Sequence, residues 1–384
     1  MIIGHKRIFQ MNITTDNSSA GWEFPVFTWD GEIFPNFSLI GFRDLVSGAV
    51  RQFSNGGVGE DFAALRRWFD TVKGECFFIG FNSWGYDNVI ARAIICDKID
   101  DAARLYKLSR ETIDAEFVRV VNIDGQVNFD LLQLYGGKRS KLGSLKECGV
   151  KMGFRRLQEL PFAYDADLAS RHQMLIVAEY NELDFEITAL VAQASKEIIE
   201  AQWALSIEYG VHVYSLHKVA LAKQIMASQL FDDYPEYPLA EQWVVSGQTL
   251  TQGFGFQHPE IVALVERINA WNLTFRVEHD TVKDKKSLKG DVYSDALTID
   301  GVGYTVGIGG LHSVDAAGIY EADENWRLID FDVDSFYPAI MINHNLAPAH
   351  LDKAAFVAAF DRLRQARLAA KRAGRKQVAD GLKT

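Results

Sequence analysis

The run Cys76–Phe81, CFFIGF, carries no polar side chain. A continuous apolar run of this kind is expected of a strand covered on both faces, which demands layers above and below it. The segments around it supply such layers. Residues 24–55 read as a β-meander: PVFTWDGEI, NFSLIGF and AVRQFS are short apolar or alternating runs, split at Pro35-Asn36 and Ser47-Gly48. In EDFAALRRWFDTVK, Phe62, Leu65, Trp68, Phe69 and Val72 recur at helical spacing. A helix is expected from about Tyr86 to Ile95, a strand in QVNFDLLQLYG, a short helix in SLKECGVKMG stopped by Gly153, and long helices from Asp167 to about Tyr209. That order predicts an α/β fold with a mixed sheet.

Further along, VALAKQIMASQLF and HPEIVALVERINAW are helix-like, and KDKKSLKGD reads as a polar loop. From about Ala296 the pattern returns to strands, in ALTIDGVGYTVGIGG and then WRLIDFDVDSFY, and a basic helix runs from about Lys353. The chain of 384 residues is thereby divided into a lead-in at 1–20, an α/β domain at 21–205, a connecting region at 206–300 and an α+β segment at 301–384.

Composition limits the function. Hydrophobic residues make up 48% and charged residues 24% of the chain, as in a soluble globular protein. No apolar run is long enough to span a membrane, and residues 1–15 lack the apolar core of an export signal. Cys76, Cys96 and Cys148 are isolated thiols, so neither a disulfide framework nor a zinc site is indicated and a cytoplasmic location is expected. The net charge of −11 argues against a nucleic-acid partner if read as a sum. Its distribution argues otherwise. Carboxylates gathered on divalent cations add negative charge without repelling DNA. The end of the chain is basic, with Arg362, Arg364, Arg367, Lys371, Arg372, Arg375, Lys376 and Lys383 against Asp361 and Asp380; a solvated helix face explains such a run equally well.

Three acidic signals stand out. Asp30 and Glu32 are two apart in a strand, so both point to one face. Two hard anionic ligands suit Mg²⁺ or Mn²⁺, although a lone Asp-x-Glu pair is more often solvated surface. Asn82 and Asp87, in NSWGYD, follow the apolar strand directly, where α/β ligand sites lie; a helix N-cap at Asp87 is the plainer alternative. Tyr180 and Asp184, four apart in YNELD, share a helix face, as any exposed i,i+4 pair does.

In combination and in this order, these signals resemble the proofreading 3′→5′ exonuclease domain of DNA polymerases, the ribonuclease-H-like group with four acidic ligands and a tyrosine. DGEIFPNFSLIGF resembles the first motif of phage polymerases, and SLKECGVKMGF with LQELPF resembles the spacer before the third. Gly31 departs from the apolar residue usual there. The resemblance implies that Asp30, Glu32, Asp87 and Asp184 hold two Mg²⁺ (or Mn²⁺) ions, that Tyr180 orients the attacking water, and that Asn82 lies near the terminal nucleotide. The partner it implies is the 3′ end of single-stranded DNA, for which a cleft rich in aromatic side chains is suited; aromatics form 12% of the chain.

LIDFDVDSFYPAIMI resembles motif A of family-B DNA polymerases. Strand alternation leaves Asp330, Asp332 and Asp334 on one face and does not choose among them. By the resemblance, the spacing to Ser335, Tyr337 and Pro338 makes Asp332 the metal ligand, puts Ser335 near a triphosphate and sets Tyr337 under the sugar. Phe336 and Ala339 depart mildly from the usual Leu and Ser. Gly307–Ser313, GIGGLHS, is similar to the Gly-rich link upstream of motif A. Arg367 and Lys371 resemble residues of the fingers helix that hold an incoming triphosphate, and Lys383 stands where motif B would begin.

The second polymerase carboxylate motif does not occur in the sequence. Primer-template DNA is therefore an expected partner, but deoxynucleotides only if a C-terminal segment completes the site, and this chain alone is not expected to polymerise. The setting expected is a bacterial or phage-infected cell. Two alternatives are a non-catalytic DNA- and subunit-binding half of a split polymerase, and a stand-alone exonuclease on RNA or DNA. Exposed apolar surface is expected near residues 330–384, because the palm sheet there is incomplete.

Overall fold

The computed structural model describes the chain except residues 1–21, 23, 116–120, 122, 138–141, 232–241, 247–254, 281–284, 291–293, 308–309, 316, 334, 349–350 and 384. The expected lead-in therefore lies outside the described residues. The chain forms two compact units, residues 1–232 with 335–384, and residues 233–334.

The first unit is a mixed α/β structure. Strands β1 (Val26–Phe34), β2 (Phe37–Asp44) and β3 (Val50–Ser54) form the antiparallel meander, and β4 (Phe77–Gly80) and β5 (Val127–Asp130) extend it in parallel. The sheet order is β3-β2-β1-β4-β5, with β1 at its centre. β4 is buried along its whole length, as its apolar run requires.

Helices cover both faces. On one side Trp29, Phe42, Phe53 and Phe78 pack with Phe62, Leu65, Trp68 and Phe69 of α1 (Phe62–Val72) and Ile90 and Ile94 of α2 (Asp87–Ile95). Trp29 and Phe42 stack with ring centroids 6.0 Å apart, and Phe42 meets Trp68 at 4.6 Å. α3 (Ala102–Asp114) adds Leu105 to this core. On the other side lie Val26, Phe77, Ile79 and Phe129, with Val191 of α6 (Arg171–Ala194) and Trp203 of α7 (Lys196–Tyr209). α6 begins at a capping box, Ser170 with Gln173, and crosses β1; Thr28 donates from Oγ1 to the Phe185 carbonyl at 3.1 Å. The short helices α4 (Leu131–Leu134) and α5 (Leu145–Lys151) precede it.

The last helices of the first unit pack with α8 (Lys218–Leu230), from which residues 233–334 separate them in sequence. α10 (Phe336–Asn343), α11 (Lys353–Arg372) and α12 (Lys376–Gly381) return to this unit, and Leu363 and Leu382 bury against Leu205, Val213, Leu221 and Ile225. The expected basic helix is thus amphipathic, and part of the apolar surface expected to be exposed near its end is covered. The second unit contains α9 (Pro259–Asn269), a β6-β7-β8 sheet (Gln242–Ser246, Asn272–Asp280, Lys285–Gly290) and a β9-β10-β11 sheet (Ser294–Ile299, Val302–Gly307, Gly310–Ser313). Arg267 of α9 pairs with Asp295 of β9 at 2.7 Å. No helix among the described residues is long and apolar enough to cross a membrane.

Three local expectations differ from the structure. The strand expected through QVNFDLLQLYG stops at Asp130, whose carboxylate accepts from the Leu132 and Gln133 amides and turns the chain into α4. KKSLKG is strand β8 and not a loop, because its backbone joins the β7 ladder despite its charge. Trp326–Val333, expected as a strand, has no regular structure. Alternation builds a strand only where a neighbouring backbone supplies ladder partners, and here Leu328, Ile329, Phe331 and Val333 are exposed instead.

These environments predict unequal costs for two phenylalanines. Phe42→Ala opens a cavity among four aromatic rings and should cost about 3–5 kcal/mol in urea denaturation. Phe331, 87% exposed, should tolerate alanine within about 0.5 kcal/mol.

Candidate metal centre

The pleat of β1 turns Trp29 and Ile33 into the α1–α2 core and leaves Asp30 and Glu32 toward α6. β4 pairs β1 only at Val26–Thr28. Beyond Thr28 that edge of β1 is therefore open, and the 82–87 loop and the start of α2 occupy the space. Asp87 lies in the first turn of α2 and is buried. Tyr180 and Asp184 lie one turn apart on α6, both buried. The carboxylate oxygens of Asp30, Glu32 and Asp184 come within 4.8 Å of one another. Asp87 stands outside this trio, yet among charged neighbours it acts most strongly on Asp30.

Burial, then the neighbouring carboxylates, raises the pKa of Asp30 and of Glu32 well above the usual range. Burial, followed by Asp130, pushes Asp87 up to about 7, against the backbone amides of Asp87 and Gly31, which favour its charged form. Asp184 is also raised by burial, with Lys146 opposing. Tyr180 is held neutral by burial and by the negative charge of Asp184. A site this crowded with anionic oxygens is relieved by a cation, and an oxygen-only donor set can hold a hard metal ion.

The sequence expectations did not include Lys146. Its ammonium donates to Asp184 Oδ1 and lies 4.4 Å from the centre of the Tyr180 ring. It sits in the first turn of α5, which a capping box of Ser144 and Glu147 fixes. The short helix was legible in the sequence, but this contact was not. Asp130 was missed as well. Wholly buried at the end of β5, it accepts from the Asn82 and Trp84 amides at 3.0 and 2.9 Å and so anchors the loop that leads to Asp87. Asn128 ties the same loop to the core, accepting from Trp29 Nε1 at 3.0 Å and donating to Ser83 Oγ at 2.9 Å and Asn88 Oδ1 at 3.1 Å. An acid closing a strand just before a helical turn is a cap signal that would have found Asp130.

A cavity of about 130 Å³ opens beside Glu32, between β1 and α3, lined in part by Tyr86, Tyr106, Arg110, Leu160 and Tyr164. The Arg110 guanidinium lies 4.7 Å from the centre of the Tyr164 ring, and the Tyr86 hydroxyl shares a 2.6 Å hydrogen bond with Ser109. Asn82 adopts a left-handed conformation, φ 60°, at the head of the loop.

The residue expected as ligand at the second metal site and those expected to meet a nucleotide fall in different units. Asp332 lies exposed in the irregular stretch that ends the second unit, and Asp334 is outside the described residues. In the first unit, Ser335 caps α10 with φ 55° and its Oγ accepts from Arg367 Nη1 at 2.8 Å. Tyr337 is largely exposed, Lys371 lies in the last turn of α11, and Lys383 is exposed after α12. Of the glycine-rich Gly307–Ser313, residues 308–309 lie outside the described residues; Gly307 ends β10 and Gly310–Ser313 form β11.

No family model and no curated protein matches the chain. Among solved structures it is similar to the family B DNA polymerase from the hyperthermophilic archaeon Pyrobaculum calidifontis, at 13% sequence identity and a TM-score of 0.46. The likeness covers 94% of this chain and 45% of that polymerase, so the chain spans less than half its length.

The charge balance of the site predicts a pH dependence. A carboxyl whose folded pKa is raised binds more protons in the folded state, so stability falls as pH climbs from the unfolded to the folded value. For Asp87 that window runs from 3.8 to about 7. In EDTA, thermal melts should show stability declining across it. Asp87→Asn should raise Tm at pH 8 while leaving it nearly unchanged at pH 4, and Mn²⁺ should recover part of the loss in the wild type.

Proposed function

We propose that the first unit is a metal-dependent 3′→5′ exonuclease acting on DNA ends, carried by a ribonuclease-H-like domain. The residues 301–384 would contribute the first part of a family-B-type polymerase domain. The observation that carries the nuclease reading is the convergence of Asp30, Glu32 and Asp184, from a central strand and a distant helix, within 4.8 Å. The sheet order, antiparallel β1–β3 continued by parallel β4 and β5, supports the fold assignment.

Asp30, Glu32 and Asp184, joined by Asp87, would hold divalent cations, Mg²⁺ or Mn²⁺. Bound there, a pair of such ions supplies a hydroxide at neutral pH and offsets charge on the leaving oxygen of a phosphodiester. The chain's own groups do the rest. Tyr180, kept protonated, presents a hydroxyl donor beside Asp184 that can orient a water. Lys146 opposes the negative charge at Asp184 until an ion takes its place. The tyrosine-lined cavity beside Glu32 suits a stacked, unpaired base, with Asn82 at the loop that borders the site.

In the polymerase portion, Asp332 would be a metal ligand, and Ser335, Tyr337, Arg367, Lys371 and Lys383 would meet a deoxynucleotide and primer-template DNA. The hydrogen bond from Arg367 to Ser335 supports this. Synthesis requires carboxylates from a further segment.

Incubating the chain with Mg²⁺ and 3′-labelled single-stranded DNA should release mononucleotides. Losing an outer-shell partner of a metal costs about 10–100-fold, so Asp30→Ala combined with Glu32→Ala should leave less than about a hundredth of the rate. No release, with synthesis restored by adding a C-terminal polymerase fragment, would replace the nuclease by a non-catalytic binding role; equal degradation of RNA would displace the DNA assignment. For the cavity, Tyr164→Ala with Arg110→Ala should raise the Kd for a single-stranded oligonucleotide in EDTA about five- to a hundredfold, the equivalent of one lost stacking contact.

A further inference from the structure

Asn181 is fully buried in α6, next to Tyr180 and three residues before Asp184. Its Nδ2 donates to Asp30 Oδ2 at 3.3 Å. Its Oδ1 is shut away from solvent with no hydrogen-bond partner among the described residues, which is costly for a buried acceptor. A leucine would fill the same volume without that cost. What the amide does that leucine could not is donate to Asp30.

The strand opposite is shaped for this amide. Gly41 is the cross-strand partner of Asp30 on β2. A Cβ at Gly41 would stand 2.1 Å from Asn181 Oδ1 and 2.6 Å from Phe185 Cε1. The absence of a side chain on β2 thus admits the carboxamide between helix and sheet. Asp30 needs such a brace, because Asp87, Glu32 and Asp184 all repel its charge, while the nearby ammonium of Lys146 is hydrogen-bonded to Asp184. The amide keeps its hydrogens at every pH.

We propose that Asn181 is a positioning residue for the metal centre: it holds the Asp30 carboxylate in its ligating orientation, so that α6 supplies both a ligand, Asp184, and the brace for a ligand on β1. This rests on the metal-centre reading above. The role is one of orientation, with no contact to the reacting atoms, and it belongs to the outer-shell partners whose loss weakens metal binding about 10–100-fold.

The test is Mn²⁺ affinity of the full chain by calorimetry, with folding followed by near-UV circular dichroism and Tm in EDTA. Asn181→Leu keeps the volume and removes the donor; Asn181→Ser keeps polarity but falls short of Asp30. Both should bind Mn²⁺ about 10–100-fold more weakly than the wild type, with the leucine variant at least as stable as the wild type without metal. Gly41→Ala, which leaves Asn181 in the chain but crowds its carboxamide, should lose affinity in the same direction. Wild-type Mn²⁺ affinity in either folded Asn181 variant overturns the inference. If the wild type itself binds no Mn²⁺, or Asp30→Ala binds it equally well, the metal-centre reading has failed and the inference falls with it.

Discussion

Four mutually repelling carboxylates are forced toward the open edge of one strand, and the rest of the first unit supplies the force. β1 lies between two apolar clusters, one holding Trp29, Phe42, Phe78 and Trp68, the other Val26, Phe77, Phe129 and Trp203. Burial of side chains this large contributes about 1.5–3 kcal/mol each, which lets the fold hold Asp30, Glu32 and Asp184 together and raise their pKa values. The same packing makes the site attractive to a cation, since repulsion that the core has overcome is released when positive charge enters.

Around that cluster lies a buried polar framework that fixes each acid separately. Asp130 and Asn128 at the end of β5 clamp the loop leading to Asp87. Lys146 engages Asp184 from α5, and Asn181 reaches Asp30 from α6. These groups come from elements far apart in sequence, and buried polar networks of this kind favour one arrangement over its alternatives. The tyrosine-lined cavity sits at the same open edge of β1, so the feature that admits Asp87 also leaves room for a ligand.

The final segment is organised differently. Ser335 onward joins the first unit through α11 and α12, whose apolar faces bury Leu363 and Leu382, while the stretch just before it, Trp326–Val333, leaves its apolar side chains exposed. A motif can therefore be plain in sequence while the strand that would carry it lacks partners. The Ser335–Arg367 contact links two of the residues singled out for triphosphate binding.

Apolar patterning alone determined the meander, the amphipathic α1, the buried β4 and the long helices, because each of these depends on which side chains within a short window turn inward. Spacing placed Asp30 with Glu32 and Tyr180 with Asp184, since each pair shares a face of its own element. Tertiary structure decided the rest. Asp130 carried a local cap signal, but its bonds to the Asn82 and Trp84 amides, which anchor the loop to Asp87, exist only in the folded chain. β8 formed from a lysine-rich stretch because β7 lay alongside. Lys146, Asn181 and Gly41 gained their roles only when α5, α6 and β2 met, and no local pattern encodes a contact between residues more than a hundred positions apart.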